Sequence, residues 1–138
     1  MKRILALFLV VCTLLFAGCS RYINSVTAFG FYHATHKNGG EMSFARLKGR
    51  YVFKLKANIE SGEGCIAYSV EVTEGDGLTI SYDSLGVKEI LVEVNGCDSV
   101  TGRGGYIEKG NTIYVIVETK GEGFIQGNFS FEFTSQPV

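Results

Sequence analysis

Tryptophan is absent from the 138 residues, proline occurs once, at Pro137, and histidine twice, at His33 and His36. Exposed aromatic rings stack on sugars or anchor protein partners; the lack of tryptophan weakens the case for a sugar ligand and leaves tyrosine as the ring available. A closed zinc site takes four ligands, and residues three apart on a strand point to opposite faces. His33 and His36 have only Glu41 close by in sequence, and we read them as solvated loop residues. No metal is expected. Lysine and arginine are interspersed with acids and form no basic patch, which excludes nucleic acid as a partner, since neutralising phosphates needs clustered cations. No G-x-S-x-G elbow, H-E-x-x-H pair or Cys–His arrangement occurs. No catalytic residue and no cofactor is therefore expected. Helical periodicity of useful length is missing after residue 18, as are internal repeats, low-complexity tracts and interdomain linkers.

Glycine, by contrast, occurs 18 times, and it falls between short apolar runs. Turn signals every 8–15 residues between β-rich segments are the mark of a sandwich or barrel. Period-two alternation places Tyr51, Phe53, Leu55 and Ala57 on one face, with Lys54 and Lys56 opposite. Residues 66–72 repeat the pattern with Ile66, Tyr68, Val70 and Val72 inward. Residues 73–77 form a turn, and Leu78, Ile80 and Tyr82 line the return strand. After a turn at 83–86 come Ile90, Val92 and Val94, then a turn at Asn95-Gly96. A looser stretch leads to Gly110-Asn111. Ile113, Val115 and Val117 oppose Tyr114, Ile116 and Glu118, so this strand is apolar on both faces and should be central. Phe129, Phe131 and Phe133 point inward from the last strand. Residues 28–33 and 42–47 read as further strands. Each strand has an apolar face to cover, so the expected fold is all-β: a two-sheet antiparallel β-sandwich, jelly-roll-like, over residues 27–135.

The N-terminus has a different character. Lys2 and Arg3 precede an apolar stretch over residues 4–16, which ends in Ala17 and Gly18. That is the layout of a secretory signal peptide, an N-terminal helix removed on export. Its apolar part is 13 residues long, short of the ~20 helical residues that span a bilayer. The segment Leu14-Leu15-Phe16-Ala17-Gly18-Cys19 resembles the lipobox of bacterial lipoproteins, with Phe16 where leucine is more usual. The resemblance implies cleavage between Gly18 and Cys19 and diacylglycerol on the Cys19 thiol. Two or more chains anchor stably where one holds only marginally. Residues 1–18 are then the signal peptide, and 19–26 the lipidated cysteine with a short tether. The mature chain of 120 residues keeps 11 basic against 14 acidic residues. The implied location is extracytoplasmic, on the cell membrane or, given Ser20 rather than aspartate after the anchor, on an outer membrane where one exists.

Near the C-terminus, Gly110-Asn111-Thr112-Ile113-Tyr114-Val115-Ile116-Val117, Gly121-Glu122-Gly123 and Gly127-Asn128-Phe129-Ser130-Phe131 resemble the final hairpin of bacterial pre-peptidase C-terminal domains. Residues 124–126 lengthen the connection relative to that family. The resemblance implies a small β-sandwich with an accessory, non-catalytic role.

Cys65 and Cys97 remain once Cys12 leaves with the signal and Cys19 carries lipid. An oxidising compartment favours a Cys65–Cys97 disulfide, closing a loop of 31 intervening residues. The strand order opposes it, because successive short turns put the two cysteines at opposite ends of strands that are ~26 Å long at ~3.3 Å per residue. A disulfide needs Cα atoms within ~7 Å. Both inferences cannot hold.

Other candidates are weaker. Glu71, Glu74 and Asp76 surround a hairpin tip but lack the EF-hand pattern. Thr101-Gly102-Arg103-Gly104-Gly105 reads as a flexible loop, and glycine loops bind phosphate where they lead into a helix. Tyr22, Tyr32, Tyr106 and Tyr114 are the rings available for exposure. The leading expectation is a non-enzymatic, membrane-anchored envelope protein that binds a protein or glycan at the cell surface. Its tether, residues 20–26, spans at most ~25 Å at ~3.6 Å per residue. The alternatives are an inhibitor of a secreted hydrolase, acting through a protruding loop at 98–105, and a small hydrolase with an unrecognised site.

Overall fold

The computed structural model describes residues 22–60 and 62–135. The leader, its expected helix, and the Gly18–Cys19 cleavage and lipidation position lie outside the described residues. Eight strands follow in order: β1 (Ser25–His36), β2 (Gly39–Lys56), β3 (Glu63–Glu74), β4 (Gly77–Asp83), β5 (Lys88–Asn95), β6 (Asp98–Glu108), β7 (Thr112–Thr119) and β8 (Ile125–Ser135). The described residues contain no helix, hence none long and apolar enough to cross a membrane. The described residues are all-β and every strand pair is antiparallel.

The strands form one continuous sheet, ordered β5-β4-β7-β2-β8-β3-β6 with β1 added to β2, where two sheets were expected. The reason lies in β2. Its first half pairs with β8 and its second half with β7, so it belongs to both sides of the molecule. Gly49 reads as a turn in the sequence but sits inside β2, at φ 113°. A Cβ there would meet the Ser25 carbonyl oxygen at 2.0 Å, so the close approach of β1 requires glycine. A register shift between Phe44 and Leu47 turns both side chains inward although they are three apart; bulges re-aim side chains in this way. The strand bends instead of breaking, and the sheet curls nearly into a barrel.

Inside, Phe53, Phe129 and Phe131 form the aromatic centre, with Phe53–Phe131 and Phe129–Phe131 ring centroids 5.0 and 5.5 Å apart. The alternation holds for Phe53, Leu55, Ala57, Ile66, Val70, Val72, Leu78, Ile80 and Tyr82, all buried. Strand β7 is central between β4 and β2, and Ile116 on its second face is fully buried, as its two apolar faces require. Ile90 departs from expectation: it is 64% exposed. A bulge opposite Ile80 and Ser81 inserts Leu91 as the extra residue, so Val92 and Val94 face inward while Ile90 faces out. A shift of one residue exchanges the faces of a strand.

The glycine-rich stretch at 98–105, expected to be a loop, is the body of β6. Its glycines make room for rings from neighbouring strands. Gly102 lies beneath Tyr68, and Gly105 lies against Tyr82. Strands β5 and β6 end the sheet order, and side chains bring these ends together. Tyr82 Oη accepts the Tyr106 N–H at 3.1 Å and donates to Glu89 at 2.7 Å. Ser84 Oγ donates to the Tyr106 carbonyl at 2.8 Å. Burial, then the Glu89 bond, raises the Tyr82 phenol above its ordinary pKa.

The Cys65–Cys97 bond expected from compartment alone is absent, and both thiols are free. Cys97 precedes Asp98, which pairs with Val72 at the far end of β3 from Cys65. Seven residues of strand at ~3.3 Å each separate the levels by ~23 Å, as the up-down-up strand order implied. Cys65 is buried beside Thr134, 3.4 Å from its hydroxyl, and Cys97 is exposed.

Candidate functional site

The outer face of β6, β3, β8, β2 and β1 carries a broad polar surface. Alternation sends the hydrophobic half of each strand inward, so the remaining residues stack in rows across the sheet. One row reads Ser99, Glu71, Asn128, Ser43 and Tyr32. The next reads Thr101, Ser69, Ser130, Glu41 and Ala34, and the third Arg103, Ala67, Glu132, Gly39 and His36. With strands ~4.8 Å apart and ~6.6 Å between rows, this face measures about 19 by 13 Å.

Small side chains make the middle of the face shallow. Ala67, Ser69, Ser130 and Gly39 form the floor of an open cleft of about 720 Å³, rimmed by Arg103, Glu132 and His36. A smaller hollow of about 280 Å³ beside Tyr32 shares Glu41 and Ser130 with it. The two adjoin at Glu41 and Ser130. The Ser69 and Thr101 hydroxyls are 3.2 Å apart. Asn38, in the turn at one end, is fixed by Asn58: its amide donates to the Asn58 carbonyl at 2.8 Å and accepts the Asn58 N–H at 3.0 Å. Glu41 gathers the edge: Tyr32 Oη donates to it at 3.5 Å, and His36 Nε2 stands 3.7 Å away, at ion-pair distance. Among the described residues, Arg103 and Glu132 have no ion-pair or hydrogen-bond partner of their own. Their charges are committed to solvent alone.

His33 and His36 stand on strand β1, not in a loop, and face opposite ways as their spacing requires. His33 Nδ1 is 3.0 Å from Tyr51 Oη, while His36 points to Glu41. Among the described residues no group of three or more His, Cys, Asp or Glu is placed to hold a metal ion. Glu71 belongs to the polar face, whereas Asp76 sits in the β3–β4 turn against Gly121, so the acidic residues near that hairpin do not converge. Arg103 stands out in the sequence for a different reason, as the one cation of a glycine-rich stretch read as a flexible loop, with no helix after it to make a phosphate site. Ser69 and Glu132 do not stand out there, Glu41 enters only as the acid nearest the two histidines, and Ser130 only within the resemblance at 127–131. The signal was present in the outward positions 67, 69 and 71 of β3 and 128, 130 and 132 of β8, which are uniformly small or polar. Only the cross-strand register joins them to Arg103 and Glu41.

Tyr106 lies at the margin of β6, and its single O–H is shared between Glu63 and Glu108, each at 3.1 Å. Local desolvation, then the hydrogen bonds to Glu108 and Glu63, pushes this phenol up to about 12. The folded value lies above the ordinary value of about 10, so the folded state holds this proton more tightly than the unfolded chain. The stabilisation is complete below pH about 10 and is lost as pH rises toward about 12. Denaturant midpoints measured across that window should fall more steeply for the native chain than for Tyr106→Phe. Parallel curves would show that the two carboxylates do not hold the phenol.

Comparison of the sequence with protein-family models and with curated proteins returns no match.

Proposed function

We propose that this protein is a lipid-anchored component of a bacterial envelope, held outside the cytoplasm by acyl chains on Cys19, whose polar sheet face binds a surface glycan without turnover. The curled sheet is then a flattened, jelly-roll-like sandwich whose two layers share β2. The observation that carries the glycan reading is the composition of the face: hydroxyls, one amide, carboxylates and one guanidinium in register, with Tyr32 56% exposed at its edge. Carboxylates and guanidinium accept and donate hydrogen bonds in pairs, which matches neighbouring hydroxyls on a sugar ring, and a tyrosine ring offers a stacking surface. The cleft is open to solvent, as suits binding; chemistry gains from excluding water. The likeness of residues 110–131 to pre-peptidase C-terminal domains supports an accessory role. The alternative of a hydrolase inhibitor would act through a protruding loop; the segment expected to supply it, 98–105, is strand β6.

The test is binding of the full-length protein, in detergent, to cell-surface polysaccharide purified from the same organism. Removing a hydrogen-bonding charged group costs ~1.5–3 kcal/mol, so Arg103→Ala and Glu132→Ala should each weaken binding about tenfold or more. Both side chains face outward, and their removal should leave the thermal midpoint nearly unchanged. Failure to bind any such polysaccharide, or binding that ignores both substitutions, sinks the glycan reading. Capture of a protein by this face instead would replace the partner class.

A further inference from the structure

The β4–β5 turn carries an apolar tip that the core does not use. Leu85 and Val87 are 60% and 65% exposed, and only Gly86 separates them. Ile90, turned outward by the bulge in β5, is 64% exposed. The first described residues of the chain arrive at this same place. Tyr22 Oη donates to Asp83 Oδ2 at 2.7 Å, and its ring lies 5.1 Å from that of Tyr114. The other oxygen of Asp83 accepts the Gly86 N–H at 2.8 Å. One carboxylate thus holds both the tip of the turn and the entry of the chain. Ile23, next in sequence, is 64% exposed.

Cys19 precedes Tyr22 by three residues, which span at most ~11 Å even when fully extended at ~3.6 Å each. We infer that the β4–β5 turn is the membrane-facing surface of the protein, with Leu85 and Val87 seated in the headgroup–acyl boundary of the bilayer that holds the Cys19 anchor. This rests on the proposed lipidation of Cys19. An anchor that short leaves the turn within reach of hydrocarbon, and burial of exposed apolar side chains there is favourable. The tip from Ser84 to Val87 carries no charge that would oppose entry. At the other end of β4, the Gly77 carbonyl accepts the Lys120 N–H, Lys120 Nζ pairs with Glu93, and Gly121, Glu122 and Gly123 of the β7–β8 connection are exposed, followed by Phe124 against Phe29.

The absence of tryptophan makes the test direct. The full acylated protein is prepared as Leu85→Trp, as Val87→Trp and, for the far end, as Glu122→Trp. Each is reconstituted in phosphatidylethanolamine–phosphatidylglycerol vesicles with and without brominated acyl chains, and palmitate incorporation is measured on the same samples. All three positions are exposed, so the ring has room. Expected is a blue-shifted emission and several-fold stronger quenching for Leu85→Trp and Val87→Trp than for Glu122→Trp. Palmitate on Cys19 with equal, weak quenching at all three positions overturns the orientation while the anchor stands. Missing palmitate removes the anchor and the orientation with it.

Discussion

Replacing Phe131 by alanine should lower the free energy of unfolding by about 3–5 kcal/mol, the range for phenylalanine deletions in a close-packed core. The ring is 5% exposed. It touches Phe53 across the interior at 5.0 Å and flanks Phe129 and Phe133 along β8 at 5.5 and 5.7 Å. Gly40 of β2 approaches the same ring, to 3.0 Å from where its Cβ would stand. The neighbours on β2 and β8 cannot collapse into the space, because each is tied into a ladder. Deletion therefore costs the transfer energy of the ring and leaves much of its cavity. An equilibrium denaturant titration checks the value. A loss below about 1 kcal/mol, the scale of a surface change, would remove β8 from the core and with it the central position of Phe53. Phe29→Ala is the natural comparison: that ring is 57% exposed on β1, and its removal should cost far less.

Phe131 was legible from the sequence because alternation is a local signal. Asn128 to Phe133 needs no partner strand to announce which face is buried. The same holds for Lys54 and Lys56 against Phe53 and Leu55, and for the two-faced strand at β7. What alternation cannot carry is the relation between strands. Ile90 obeys the period-two rule within its own segment, yet the bulge opposite Ile80 and Ser81 turns it to solvent. Gly49 has the composition of a turn, but its positive φ is used to bend a strand that continues for seven more residues. The polar cleft was invisible for the same reason: Arg103, Ser69, Ser130 and Glu41 come from four strands, and only the register places them side by side. The cysteines show the reverse case. The alternating direction of short-linked strands already separated Cys65 from Cys97, and that geometric argument outweighs the one from compartment.

The seam between β6 and the β4–β5 hairpin should be the second sensitive point, and Gly105→Ala should destabilise the fold by about 2–5 kcal/mol through two independent costs. Gly105 holds φ 76°, where a residue with a Cβ is strained. The new methyl would also stand 3.0 Å from Tyr82 Cζ. That ring cannot slide aside, because its hydroxyl is held by the Tyr106 N–H and by Glu89. Gly110→Ala separates the two costs. Gly110 has a comparable φ of 87° but open space where its Cβ would project. It should show the backbone strain alone, about 1–2 kcal/mol. The excess at Gly105 then measures how tightly Tyr82 closes the sheet, and it should appear with faster amide exchange at Tyr106, whose N–H depends on that hydroxyl. Equal effects of the two substitutions would mean that the ring is not packed against β6. The curled sheet would then be open along that line, with Leu91 and Tyr82 covered by no strand on their outer side.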